Sequence, residues 1–64
     1  MHRQLLIRHL TRNGCVFVRE GAKHSVFWNP LTRRSSTVPR HNEIDRHLAV
    51  KICRDLGVPD PQQK

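Results

Sequence analysis

Five histidines, at positions 2, 9, 24, 41 and 47, carry most of this chain's capacity to move protons near neutral pH. One of them stands in a setting that could do chemistry. In Gly21-Ala22-Lys23-His24-Ser25 an imidazole follows a lysine and sits three residues beyond a glycine. An imidazole can take a proton from, or return it to, a phosphodiester undergoing cleavage. The lysine can hold a phosphate, and the glycine lets the loop turn tightly and lets a nucleic-acid backbone come close. A histidine at the start of a strand is also explained by plain surface placement, and on residue type alone that reading is the stronger. His41, in Pro39-Arg40-His41, is a candidate second phosphate contact and the rival proton carrier. His2, His9 and His47 fall on the polar faces of helices, which accounts for them.

Other chemistries find less support. Zinc would have to be assembled from Cys15, Cys53 and two histidines. No pair shows tight C-x2-C or H-x3-H spacing, and both cysteines fall on apolar faces, so no metal or cofactor is expected. Glu20, Glu43, Asp45, Asp55 and Asp60 form no acidic cluster of the kind a two-metal nuclease needs. Ser25, Ser35 and Ser36 lack the surroundings of a nucleophile elbow.

Charge decides the partner class. Twelve Lys and Arg against five Asp and Glu give +7 in 64 residues, and the basic positions run from Arg3 to Arg54 with only Lys64 outside. A basic body predicts a charged binding surface, where a basic block at one end would predict an arm. The expected partner is an anion: nucleic acid first, an acidic protein second, an anionic membrane third. Gly21, Lys23, Ser25, Arg33, Arg34, Arg40, His41, Lys51 and Arg54 are the candidate RNA contacts, with His24 as the candidate catalyst. For any single one of these, a solvated charge is sufficient explanation; the collective +7 favours nucleic acid. No apolar run approaches the length of a membrane span, and no secretory signal is seen. The cytoplasm is therefore expected, with both cysteines reduced.

These residues must be positioned by few elements. Leu6, Ile7 and Leu10 form an apolar stripe that predicts a helix over 2–13, stopped at Asn13-Gly14. Residues 15–19 and 24–28 read as strands joined by a glycine-containing loop. Alternation sends His24, Val26 and Trp28 one way, Ser25 and Phe27 the other. In so lean a chain, at 36% hydrophobic residues, Phe27 and Trp28 are both expected in the core. Residues 35–38 read as a third strand and 40–44 as a loop. A second helix is capped by Asp45 and stopped by Gly57 and Pro59, with Leu48, Ala49, Ile52, Cys53 and Leu56 on one face. The expected fold is α+β: a three-stranded antiparallel meander in the order α-β-β-β-α, with both helices on one face. Residues 1–58 make one domain and 59–64 a flexible tail.

The runs Asn13-Gly14-Cys15-Val16-Phe17-Val18-Arg19, Gly21-Ala22-Lys23-His24-Ser25 and Thr37-Val38-Pro39-Arg40-His41-Asn42-Glu43-Ile44 resemble the HicA (YcfA-like) toxins of bacterial HicAB toxin–antitoxin systems. The likeness covers roughly His2 to Val58 and rests on the order and spacing of these runs. It implies a double-stranded-RNA-binding-domain-like fold and an mRNA interferase, a ribonuclease that cuts transcripts and arrests translation; the scattered carboxylates and absent ligand spacing make a metal-independent cut the expectation. It implies a catalytic histidine at His24, a matching glycine at Gly21, and a HicB-type antitoxin as protein partner. Many members begin the second helix with Pro-Gly, where this chain has Arg46-His47. Two further readings compete with the nuclease: a non-catalytic RNA-binding module of the same fold, and a basic protein whose main role is to bind an acidic protein.

Overall fold

A computed structural model describes residues 1–61 and shows helix α1 (Arg3–Arg12), strands β1 (Val16–Glu20), β2 (His24–Asn29) and β3 (Arg34–Pro39), and helix α2 (Arg46–Leu56). The three strands form one antiparallel sheet in the order β1-β2-β3. The α-β-β-β-α order is the one the periodicities predict, with strand ends shifted by a residue or so. Residues 62–64 of the expected tail lie outside the described ones. Pro59, at its start, is tied to the body, since its carbonyl meets His9 Nε2 at 2.8 Å. Among the described residues no helix is long and apolar enough to cross a membrane.

Each helix is bounded by local chemistry. His2 caps α1, its Nδ1 accepting from the Gln4 amide at 3.2 Å. Asp45 caps α2 by accepting from the amides of His47 and Leu48, which removes two orphan donors of the first turn. At the other end of α2, Gly57 adopts φ 74°, and the Gly57 and Val58 amides return to the carbonyls of Arg54 and Cys53. The carbonyl of Leu56, the last residue of α2, is met from outside the helix. Asn29 Nδ2 and Thr32 Oγ1 both donate to it at 2.8 Å. Asn29 is 2% exposed, and its Oδ1 also accepts from the Leu31 amide. The β2–β3 turn is thus bonded to the end of α2.

Burial along β2 alternates. Ser25, Phe27 and Asn29 are buried against the helices, while His24 is exposed and Val26 and Trp28 are half-buried on the opposite, open face. Phe27 joins Leu6, Leu10, Val38, Ile44, Ile52 and Leu56 in the core. Trp28 does not: it lies on the open face, paired with Val16 and Ser35. Alternation correctly separates the two aromatics, but only one face of the sheet is covered. Ile44, inside the 40–44 loop, is buried because its amide bonds to the Met1 carbonyl at 2.7 Å and draws the loop under α1.

β1 departs most from expectation. Although three of them are apolar, all five of its residues are exposed, because it forms an edge of the sheet that neither helix covers. Phe17 keeps one core contact, an edge-on packing against Phe27 with ring centroids 5.9 Å apart. Beyond Phe17 the pairing slips by one residue, so that Arg19 opposes Val26 and Glu20 opposes Ser25. Val18 is the extra residue of this β-bulge. Were the pairing regular from Phe17 onward, Arg19 would oppose Ser25 on the helix side and Glu20 would lie on the open face beside His24.

Candidate active site

The bulge brings a carboxylate to a place where basic groups converge. Ser25 is 2% exposed, and its hydroxyl donates to Glu20 Oε1 at 2.9 Å. The same hydroxyl accepts from an Arg3 terminal amine at 2.6 Å. Arg3 Nε donates to the Pro39 carbonyl at 2.9 Å. Glu20 Oε2 receives Arg40 Nε at 2.8 Å. One continuous chain of bonds therefore links the start of α1, the end of β1, the body of β2 and the end of β3. The three strand segments border His24: Ser25 follows it, Pro39 pairs with it, and the Gly21 amide, just past β1, donates to its carbonyl at 2.7 Å.

The hairpin itself is closed tightly. A Cβ placed on Gly21 would stand 3.2 Å from the His24 carbonyl oxygen, closer than ordinary van der Waals contact allows. A side chain at Gly21 would push that oxygen back by a few tenths of an ångström, so glycine suits the point where the loop folds back on the histidine. The Arg40 amide donates to the Lys23 carbonyl at 3.2 Å, which sets the 40–41 loop beside the hairpin. Between them Ala22, Lys23, Arg40 and His41 line an open concavity of about 470 Å³. Three of its four lining residues carry basic groups. His24 directly follows Lys23 but does not itself line the concavity; it is exposed on the open sheet face, and among the described residues no protein group holds its ring by a hydrogen bond.

The candidate contacts separate into three groups. Lys23, Arg40 and His41 come together beside His24 and Gly21. Arg33 and Arg34 lie at the opposite end of the sheet: β2 runs six residues from His24 to Asn29, about 17 Å at an ordinary strand rise, and Arg34 pairs with Asn29. Lys51 and Arg54 lie on the outer face of α2, where Arg46, His47, Val50 and Asp55 share a second shallow concavity. That helix covers the other side of the sheet from His24, and Lys51 is paired with Asp55 at 2.9 Å. Ser25 is not a surface contact. It is buried with its hydroxyl fully engaged, so any part it plays in the site is to hold Glu20 and Arg3.

Residue types alone missed Arg3 and Glu20. Arg3 had a signal: it precedes Leu6 and Leu10 at i+3 and i+7, which puts a guanidinium on the buried stripe of α1, where it needs a partner. Glu20 had none, because its orientation depends on the bulge. Three of the remaining four carboxylates are engaged elsewhere. Glu43 pairs with the N-terminal ammonium at 2.8 Å, which holds its carboxyl below the usual range. Asp45 caps α2 and Asp55 pairs with Lys51. Both cysteines are buried and free. Burial raises the Cys15 thiol and, with smaller contributions from Asp60 and Cys15, pushes that of Cys53 up to about 11.

Comparison with known proteins adds an independent line. Neither curated proteins nor solved structures gave a match to the chain. The family described as the HicA toxin of bacterial toxin–antitoxin systems matches residues 4–58, which take in α1, the whole sheet, the Lys23–Arg40 concavity and α2. With so much of its length matched, and all of its regular structure but the first residue of α1 inside the match, the chain belongs to the HicA toxin family.

Proposed function

We propose that this toxin is a metal-independent endoribonuclease that cleaves mRNA and so arrests translation, with His24 as general base. The supporting observation is an exposed imidazole on the residue that directly follows Lys23, which with Arg40 and His41 lines a basic concavity. In this reading an RNA phosphate sits among those three side chains. His24 takes the proton of the adjacent ribose 2′-hydroxyl, whose oxygen attacks the phosphorus. The bond to the 5′ oxygen breaks and that oxygen takes a proton from water, leaving a 2′,3′-cyclic phosphate and a 5′-hydroxyl, while His24 returns its proton to solvent. Lys23 and Arg40 offset the charge that builds on the phosphoryl oxygens. With four of the five carboxylates already paired or capping, the reaction rests on proton transfer and not on carboxylate-held divalent ions. Among the described residues no protein group supports the ring of His24, so the rate should be modest. Arg33, Arg34, Lys51 and Arg54 serve the outer parts of a longer RNA.

Membership of the family implies pairing with an antitoxin. We read the partner as a HicB-type protein whose contact surface is acidic, to match a +7 body.

Labelled RNA tests the reading. Wild-type protein should cut it in excess EDTA, and His24→Ala should slow cutting by about 10²–10⁴ while leaving the fold intact. His41→Ala is the control for the rival base. Normal cutting by His24→Ala, or loss of activity in EDTA, would sink the mechanism.

A further inference from the structure

The Glu20–Arg40 pair is hard to explain by stability. Its side chains are 40% and 56% exposed, and exposed ion pairs contribute at most about 1 kcal/mol. Yet Glu20 is placed with care: a bulge turns it inward, a buried hydroxyl binds one of its oxygens, and Arg3 anchors that hydroxyl. It is also an acid beside a surface expected to bind an anion, where its charge should be unwelcome. The contact that it makes resolves the conflict. Glu20 takes Arg40 by Nε, one edge of the guanidinium plane. The two terminal amines have no other partner among the described residues, and they present the fork that matches two oxygens of a phosphate.

We infer that Glu20 is a positioning residue, which holds Arg40 in one orientation over the Ala22–Lys23–His41 concavity so that this pocket binds a single phosphate. The inference rests on the ribonuclease reading for its biological sense, since the phosphate is then that of the RNA at the cleavage point. The pocket itself can be tested without RNA. Arg3 and Ser25 act one step further back, by holding Glu20.

The argument has a sign that distinguishes it from plain electrostatics. Glu20→Gln raises the net charge by one. If Glu20 is only a nearby negative charge, its removal should strengthen anion binding. If it orients Arg40, its removal should weaken binding at this pocket despite the added charge. The experiment is an NMR titration of the full chain with inorganic phosphate at low salt, following Lys23, Arg40 and His41. Wild type should show a slowly exchanging Arg40 Nε–H signal that phosphate perturbs. In Glu20→Gln that signal should broaden or vanish, and phosphate should bind about threefold or more weakly. Arg40→Lys keeps the charge but has no Nε for Glu20 to hold. It should lose as much, and it decides the question if Glu20→Gln fails to fold. Cleavage of RNA gives the second readout. Turnover at saturating RNA should fall about tenfold in Glu20→Gln, and Glu20→Gln with Arg40→Ala should be no slower than Arg40→Ala alone. Tighter phosphate binding by Glu20→Gln overturns the inference, as does an additive double variant. A wild-type protein that binds phosphate here as described but cuts no RNA would refute the ribonuclease reading and leave the pocket standing.

Discussion

The carbonyl of Leu56 offers a quantitative test of how the sheet is tied to α2. It accepts from both Asn29 Nδ2 and Thr32 Oγ1 at 2.8 Å. Thr32→Val removes one donor and leaves the carbonyl satisfied by the other, at a cost of about 1 kcal/mol, the net worth of a hydrogen bond. Asn29→Ala removes the other donor and the buried amide, and frees the Leu31 amide to meet water, at about 2 kcal/mol. Neither single change strands a buried group. Together they leave the carbonyl with no partner, so a further desolvation penalty of about 1–3 kcal/mol appears only in the double variant. The double should therefore cost about 4–6 kcal/mol, more than the sum of its parts. In a domain of this size each kcal/mol moves Tm by roughly 4–8 °C, so the single variants are measurable and the double is near the limit of folding. Urea denaturation of the four proteins gives the coupling directly. Additivity to within about 0.5 kcal/mol would show that water or a shifted turn satisfies Leu56, and would refute the claim that these two side chains cap the helix.

Three further outcomes follow from the same geometry. Gly57→Ala should destabilise by about 2 kcal/mol or more on thermal melting, because a left-handed residue gains a Cβ that would stand 2.6 Å from Thr32 Cγ2. A wild-type Tm would mean that the turn gives way freely. The Cys53 thiol, raised from 9.0 to about 11, should resist alkylation at neutral pH, with roughly a hundredfold less thiolate than a free cysteine. Since it is held neutral in the folded state, its contribution to stability is intact below pH 9.0 and is lost as pH rises towards 11, which melts recorded across that window will show. RNA binding should weaken with salt along a log–log slope near −3 if about four phosphates of a single strand are engaged. Lys23→Glu should flatten that slope more than Lys51→Glu, because Lys51 already faces Asp55; equal effects would mean that RNA also wraps α2.

The elements were legible wherever one physical cause acted alone. Leu6 and Leu10 mark α1, Ile52 and Leu56 mark α2, and Asp45 and Gly57 mark the ends of the second helix, because apolar period and capping chemistry are local. Burial was legible only in part. Alternation shows that Phe27 and Trp28 face opposite ways, but not that one sheet face stays uncovered. Nor does an apolar run such as Val16-Phe17-Val18 reveal that it forms an unprotected edge. For the site, Gly21, Lys23, His24, Arg40 and His41 could be named from the residues because glycine, cations and imidazole announce their chemistry. Ser25 looked like part of that surface and is instead buried, since it lies one residue out of phase with His24. Arg3 was readable in principle from its place on an apolar stripe, whereas Glu20 was not, as no local rule forecasts a bulge.

That bulge also sets how positions in this molecule should be counted. The strand holds one residue more than its partner, and the surplus falls at Val18, between the core contact at Phe17 and the pair Arg19–Val26. Deleting Val18 would leave Phe17 opposite Phe27, Arg19 opposite Val26 and Glu20 opposite Ser25, now as a regular ladder. Deleting Arg19 would do the same, with Val18 taking the place opposite Val26, whereas deleting Glu20 would put Arg19 opposite Ser25 and remove the carboxylate. A chain one residue shorter at this point could thus carry the same carboxylate against the same serine. Aligned forward from α1, that acid would seem displaced; counted back from the histidine, it stands four places before it in both.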